Sequence, residues 1–146
     1  MADNARIVSR VLVLDPDQRV LLLHYRIRAE LEVWIPPGGG VEAGESLAEC
    51  AARELREETE IDLASGDLEH AWVHETDYSG RAIHETYLLV RLDYVPGLTL
   101  HANPDGPIEL LEYRWWHCAE IALDESEVEF TPLDLDVRLR RVLDGD

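Results

Sequence analysis

Ile7 to Leu14 is an apolar, largely β-branched run, Asp15-Pro16-Asp17-Gln18 reads as a turn, and Arg19 to Tyr25 resumes the apolar character. That pattern predicts a hairpin. Arg26 to Glu32 is polar and reads as a loop. Val33 to Ile35 predicts a short strand, stopped by the Pro36-Pro37-Gly38-Gly39-Gly40 run, which is not expected to continue regular structure. Ser46 followed three residues later by Glu49 is a capping-box signature, so a helix should begin near Ser46. Ala48, Ala51, Ala52 and Leu55 form a stripe of small side chains along it, suited to close docking, and the helix should end near Thr59.

Downstream, Leu68 to Thr76 and Ile83 to Leu92 predict a second hairpin around Asp77-Tyr78-Ser79-Gly80. Val95 to Pro107 is rich in Gly, Pro, Asn and Asp and predicts a long loop, a class that is often functional. Leu110 to His117 reads as a strand and Ala119 to Leu123 as a helical turn. Thr131-Pro132 is expected to open a last helix, with Leu135, Leu139, Val142 and Leu143 as its apolar face and Gly145 beyond its end. Strands and helices mixed with hairpins predict an α/β fold, an α/β/α sandwich around a mixed sheet. The 146 residues are expected to form a single domain spanning 1–146.

Charge narrows the function. Acidic residues number 31 against 13 basic ones, the net charge is −18, and every basic residue is arginine. Nucleic-acid duplexes and anionic membranes are recognised through basic patches, so neither is an expected partner. No signal-like apolar segment opens the chain, no apolar run reaches membrane-span length, and the two cysteines, Cys50 and Cys118, lack metal-type spacing. A cytoplasmic location is the resulting expectation.

Acids of the predicted helix carry the strongest chemical signal. Glu54, Glu57 and Glu58 lie three and four residues apart, within an arc of roughly 100° on one helical face. Like charges at these spacings repel, and the C-terminal end of a helix disfavours negative charge. An oxygen-only cluster of this kind suits a hard divalent cation, Mg²⁺ first and Mn²⁺ or Ca²⁺ after it. Arg53 has Glu49 and Glu57 four residues to either side. It is expected either to make an ordinary surface ion pair or, as favoured here, to act as a fork that fixes a carboxylate's rotamer.

The whole stretch from Gly39 to Ile61 resembles the box of the Nudix hydrolases, Gly-x5-Glu-x7-Arg-Glu-U-x-Glu-Glu-x-Gly-U with U aliphatic. Gly39, Glu45, Arg53, Glu54, Leu55, Glu57 and Glu58 occupy its fixed positions, and Trp34 to Gly40 looks like the lead-in. One position departs: Glu60 stands where the family has glycine. Glutamate in the left-handed conformation expected there would cost of order 1 kcal/mol.

The resemblance implies a nucleoside diphosphate linked to another moiety as substrate, water attack on phosphorus, and homodimers as a frequent assembly. It implies Glu54, Glu57 and Glu58 as ligands for Mg²⁺, with Mn²⁺ as a substitute and the Gly38 carbonyl as a candidate further donor. Glu45 takes a supporting role by the same resemblance, with first-turn helix stabilisation as the plainer account. Gly39 and Gly40 let the loop backbone approach ion and phosphates. The general base is not settled by the resemblance: Glu57 is the first choice, with Glu109 and Glu112 as distal candidates. Trp34 and Tyr25 are candidate stacking surfaces for the organic half, and Arg26 a candidate phosphate contact, alongside Arg10, Arg28 and Arg81. Two other classes share the fold: a nucleotide-binding or sensing module without turnover, and an isoprenoid diphosphate isomerase, for which Cys50 is poorly placed.

Overall fold

The computed structural model describes residues 5–78, 80–102 and 108–145. Its frame is an eight-stranded mixed sheet of β1 (Arg6–Leu14), β2 (Val20–Arg28), β3 (Leu31–Ile35), β4 (Gly38–Gly40), β5 (Glu69–Tyr78), β6 (Arg81–Arg91), β7 (Glu109–Trp116) and β8 (Glu129–Phe130). Three helices join it: α1 (Leu47–Thr59), α2 (Cys118–Leu123) and α3 (Leu135–Leu143). β1 runs parallel to β6 over its whole length but meets β2 at a single pair, Leu14 with Val20. From that hinge the sheet forks. β5, β6, β1 and β4 make one wing; β7, β2, β3 and β8 make the other.

Period-two alternation gives both faces of β1 and β2 an apolar lining, so each face carries a helical layer. Val11, Val13 and Leu21 pack with Ala51 and Leu55 of α1. Leu12, Leu14, Val20 and Leu22 pack with Cys118 and Ile121 of α2 and with Leu135 and Leu139 of α3. The expected α/β/α layering is therefore observed. Trp115 and Trp116, adjacent on β7, go to opposite faces, and Trp116 is deeply buried. The turn at Asp15 is held by its own carboxylate, which accepts from the N–H groups of Asp17 and Arg19, both at 2.9 Å. Gln18 takes a left-handed φ of 63° there.

Three expectations are corrected. Residues 26–32 are no loop: β2 continues to Arg28 and β3 starts at Leu31, because Arg26 and Glu32 face each other across the strands as an ion pair of 3.6 Å. Gly38–Gly40 does continue regular structure, as β4 against β1. Pro132 lies ahead of α3, in a turn closed by the Leu135 N–H on the Pro132 carbonyl at 3.0 Å, and Asp134 is the N-cap. The predicted loop has no helix or strand over 95–102; residues 103–107, and Ser79 of the second hairpin, lie outside the described residues.

Helix α1 begins as predicted. Ser46 Oγ accepts from the Glu49 N–H at 3.0 Å, and the Glu49 carboxylate accepts from the Ser46 N–H at 2.8 Å. Replacing Ser46 by Ala should lower stability by about 1 kcal/mol, measured by urea unfolding.

Candidate active site

A glycine strand brings the backbone to the acids. In β4, Gly38 pairs with Arg10 and Gly39 with Ser9 of β1. A Cβ on Gly38 would lie 2.3 Å from the Ser9 carbonyl oxygen and 2.7 Å from Arg10 Cα. One on Gly39 would lie 2.5 Å from the Glu54 carboxyl carbon. At Gly38 the obstacle is backbone, so only hydrogen fits; at Gly39 a side chain would have to push the Glu54 carboxylate aside. On the other side, Ser9 Oγ donates to the Leu47 carbonyl at 2.7 Å, and Ala51 and Leu55 hold α1 down on the sheet. The acids of α1 therefore stand at a set height over a strand of bare backbone.

Each acid has a distinct environment. Arg53 Nε and Nη2 fork onto Glu45 at 2.6 and 3.0 Å, and Nη2 also reaches the Gly40 carbonyl at 3.2 Å. Arg53 Nη1 donates to Glu54 and to Glu57, both at 3.1 Å. Glu49, the other expected partner of Arg53, is instead committed to the helix cap. The Arg53 hydrogen bonds hold the Glu45 carboxyl down at about 2. Glu58 accepts from the Gly38 N–H at 3.0 Å and from the Tyr25 hydroxyl at 2.8 Å. Burial pushes its carboxyl up to about 7; the Tyr25 hydroxyl opposes the shift and the Glu54 charge adds to it. Burial likewise raises Glu54, against the pull of Arg53. Tyr25 is raised by burial and by Glu58, so its hydroxyl remains a donor.

These features fit a hard cation. The donors are carboxylate oxygens and backbone carbonyls, two of the acids are strained towards protonation, and the absence of a side chain at Gly39 lets the Glu54 carboxylate lie against the backbone. Among the described residues, however, no three acids converge on one point. Glu57 is turned outward to Arg53 with its side chain 55% exposed, while Glu58 faces Tyr25 and Gly38.

Other expected site residues lie elsewhere. Trp34 presents no free ring: it is 6% exposed, stacked on His24 at 4.6 Å and edge-on to Trp116 at 5.2 Å. The Tyr25 hydroxyl is committed to Glu58, and its side chain is partly buried. Glu112 bonds His24 Nδ1 at 2.8 Å, and His24 stands on the sheet face opposite Tyr25, because neighbours along a strand alternate. Glu112 is thus turned away from the α1 acids. Glu109 pairs with Arg26 at 2.9 Å, on the same outward side as His24 by alternation. Arg10 is an inward cation, bound to Glu85 at 2.6 Å, with His74 on the second Glu85 oxygen at 3.1 Å. The sequence signal for this cluster was a charged residue, Glu85, at an inward position of an apolar strand, level with Tyr87 and Leu89. Cys50 points at the Gly39 and Gly40 carbonyls, 3.5 Å from each, and burial pushes its thiol up to about 12.

Gly39→Ala should displace the Glu54 carboxylate and weaken Mn²⁺ binding, followed by electron paramagnetic resonance, by about tenfold or more, with the circular dichroism spectrum unchanged.

Comparison with known proteins agrees with this geometry. The NUDIX domain model matches residues 4–134. The Nudix hydrolase YvcI of Bacillus subtilis is 42% identical over 122 residues, covering 83% of this chain and 68% of that protein. An m7GpppN-mRNA hydrolase of Xenopus laevis is 46% identical over 55 residues, 36% of this chain; the match spans only 19% of that relative's length. The MutT protein of Methanosarcina mazei shares the fold at a TM-score of 0.76 and 21% identity, over 99% of this chain and 97% of that one. Glycine strand, forked arginine and acidic helix thus stand together in a chain whose sequence matches the family model over almost its full length: the protein belongs to the Nudix family.

Proposed function

We propose that this chain is a divalent-metal-dependent pyrophosphohydrolase, a single domain that cleaves the diphosphate bond of a nucleoside diphosphate linked to another moiety. The observation that carries the proposal is the Arg53 fork, which orders Glu45 together with Glu54 and Glu57 of α1, with the Glu54 carboxylate against the bare backbone of Gly39. Glu54, Glu57 and Glu58 would hold Mg²⁺, with Mn²⁺ as a substitute and the Gly38 carbonyl as a further donor. When bound, the ion supplies charge neutralisation on phosphate oxygens and a lower pKa for water.

The chain's own residues do the rest. Glu57 is the exposed acid of the three, and accepts a proton from the attacking water while Arg53 fixes its position. The new bond joins the water oxygen to phosphorus, and the bridging anhydride oxygen leaves with its electron pair. Glu57 is preferred to the distal candidates because Glu112 bonds His24 across the sheet and Glu109 is engaged by Arg26. Arg26, expected as a phosphate contact, is paired with Glu32 and Glu109 on the face of the sheet away from the α1 acids, and no phosphate contact is assigned to it. The lack of side chains at Gly39 and Gly40 supports a close approach of the diphosphate to this backbone, with the Glu54 carboxylate against Gly39 and the Arg6 guanidinium near Gly40. A binding module without turnover gains no support from a site that keeps all three acids, and the buried, carbonyl-facing Cys50 does not suit isomerase chemistry. Two buried free thiols accord with a reducing cytoplasm, and among the described residues no helix is long and apolar enough to cross a membrane.

Glu57→Gln should lower turnover by about 10²-fold or more without loss of fold, in an assay of nucleoside diphosphate derivatives with product masses identified. Chelation should abolish activity and Mg²⁺ restore it; full turnover in excess chelator would falsify the metal assignment. Glu58 supplies a second test. With its folded pKa raised from 4.5 to about 7, the folded chain keeps a proton that the unfolded chain has released between those values. Metal-free stability should therefore fall as pH rises across that window. Mn²⁺ binding should release more protons at pH 6 than at pH 8, measured by calorimetry in buffers of differing ionisation enthalpy.

A further inference from the structure

Residue 60 is where this chain leaves the family pattern, and the structure shows what the glutamate does there. Glu60 caps α1 in the left-handed conformation, φ 65° and ψ 9°, which glycine adopts at no steric cost. Its N–H closes the helix on the Arg56 carbonyl at 2.9 Å, a bond that glycine would make equally well. What glycine lacks is the side chain, and that side chain makes a hydrogen bond with His101 Nε2, 41 residues further on.

The partner segment touches the same turn at two more points. The His101 N–H donates to the Glu58 carbonyl at 2.8 Å, and the Thr99 N–H to the Thr59 carbonyl at 3.0 Å. Leu98 packs into the apolar cluster beneath α1. Glu58, Thr59 and Glu60 thus each hold one point of residues 98–101. Both pair members are about half exposed, at 58% and 50% of their side chains, where an ion pair adds little stability. A strained backbone exchanged for a weakly stabilising contact is a poor trade for stability alone. It makes sense as a fixing of position.

We propose that Glu60 and His101 are a matched pair of positioning residues. Glu60 gives up the ease of glycine so that its carboxylate can hold residues 98–101 against the last turn of α1, beside Glu58. The segment then forms a fixed wall to the site, met by the organic half of the substrate rather than by the diphosphate. This rests on the hydrolase function proposed above. Neither residue touches the reacting atoms, so their loss should act on KM and leave kcat nearly unchanged.

The test compares Glu60→Gly, His101→Ala, the double variant Glu60→Gly/His101→Ala, and the exchanged pair Glu60→His/His101→Glu, by hydrogen exchange and by steady-state kinetics. In either single variant the Thr99 and His101 amides should exchange about tenfold faster, and KM should rise by about the same factor with kcat within about twofold of the parent. The double variant should be no worse than either single one, because both remove the same contact. The exchanged pair should recover much of the amide protection and of KM. Unchanged protection in Glu60→Gly would overturn the pairing, and faster exchange without a change in KM would overturn its role towards substrate. Amide protection needs no turnover, so a parent chain that hydrolyses nothing would sink the hydrolase function while this measurement still decides whether the pair holds the segment.

Discussion

Carboxylates three and four residues apart on one helical face repel, and in this protein one guanidinium sets how that repulsion is resolved. Arg53 gives two nitrogens to Glu45 and a third to both Glu54 and Glu57. Glu58, out of its reach, relies on a neutral hydroxyl and a backbone N–H. The electrostatic difference is large: Glu45, forked by Arg53, is a strong acid, and Glu58, buried against Tyr25, is a weak one. Lysine in place of Arg53 would keep the charge but lose the planar fork that spans several carboxylates at once.

Packing makes that arrangement rigid. Alanines rather than bulkier residues line the underside of α1, so the helix axis lies close to the strands and the acids lie close to β4. Glycines complete the approach from the other side. Larger residues at Ala51 or Gly39 would act on opposite faces of α1, one lifting the helix off the sheet and the other pushing into Glu54. Fold and chemistry therefore constrain the same few positions.

Much of this was legible in the sequence. The capping box located the start of α1, and the apolar runs separated by turn residues located β1, β2, β5 and β6, because local backbone chemistry decides those features. The acids of α1 declared themselves through their spacing. What stayed hidden depended on contacts distant in sequence. Residues 26–28 and 31–32 became strands through their pairing between β2 and β3, which leaves Ala29 and Glu30 as the turn. Gly38–Gly40 became a strand because β1 offered a partner too close for side chains. Trp34 looks identical as a core residue or a stacking platform until its neighbours His24 and Trp116 are in place. The pairing of Arg53 with Glu45 rather than Glu49 turned on the prior claim of the helix cap.

The fork in the sheet has its own consequence. Where β2 swings away after the Leu14–Val20 pair, the inner edge of β1 is left with main-chain groups to satisfy, and the incoming segment takes them. The Val11 N–H donates to the Pro37 carbonyl at 2.9 Å, and the Val41 N–H donates to the Ile7 carbonyl at 3.0 Å. The glycine segment is thereby seated by peptide groups, which every residue type carries. Such a socket tolerates drift among the apolar side chains around it, because its hydrogen bonds depend on none of them.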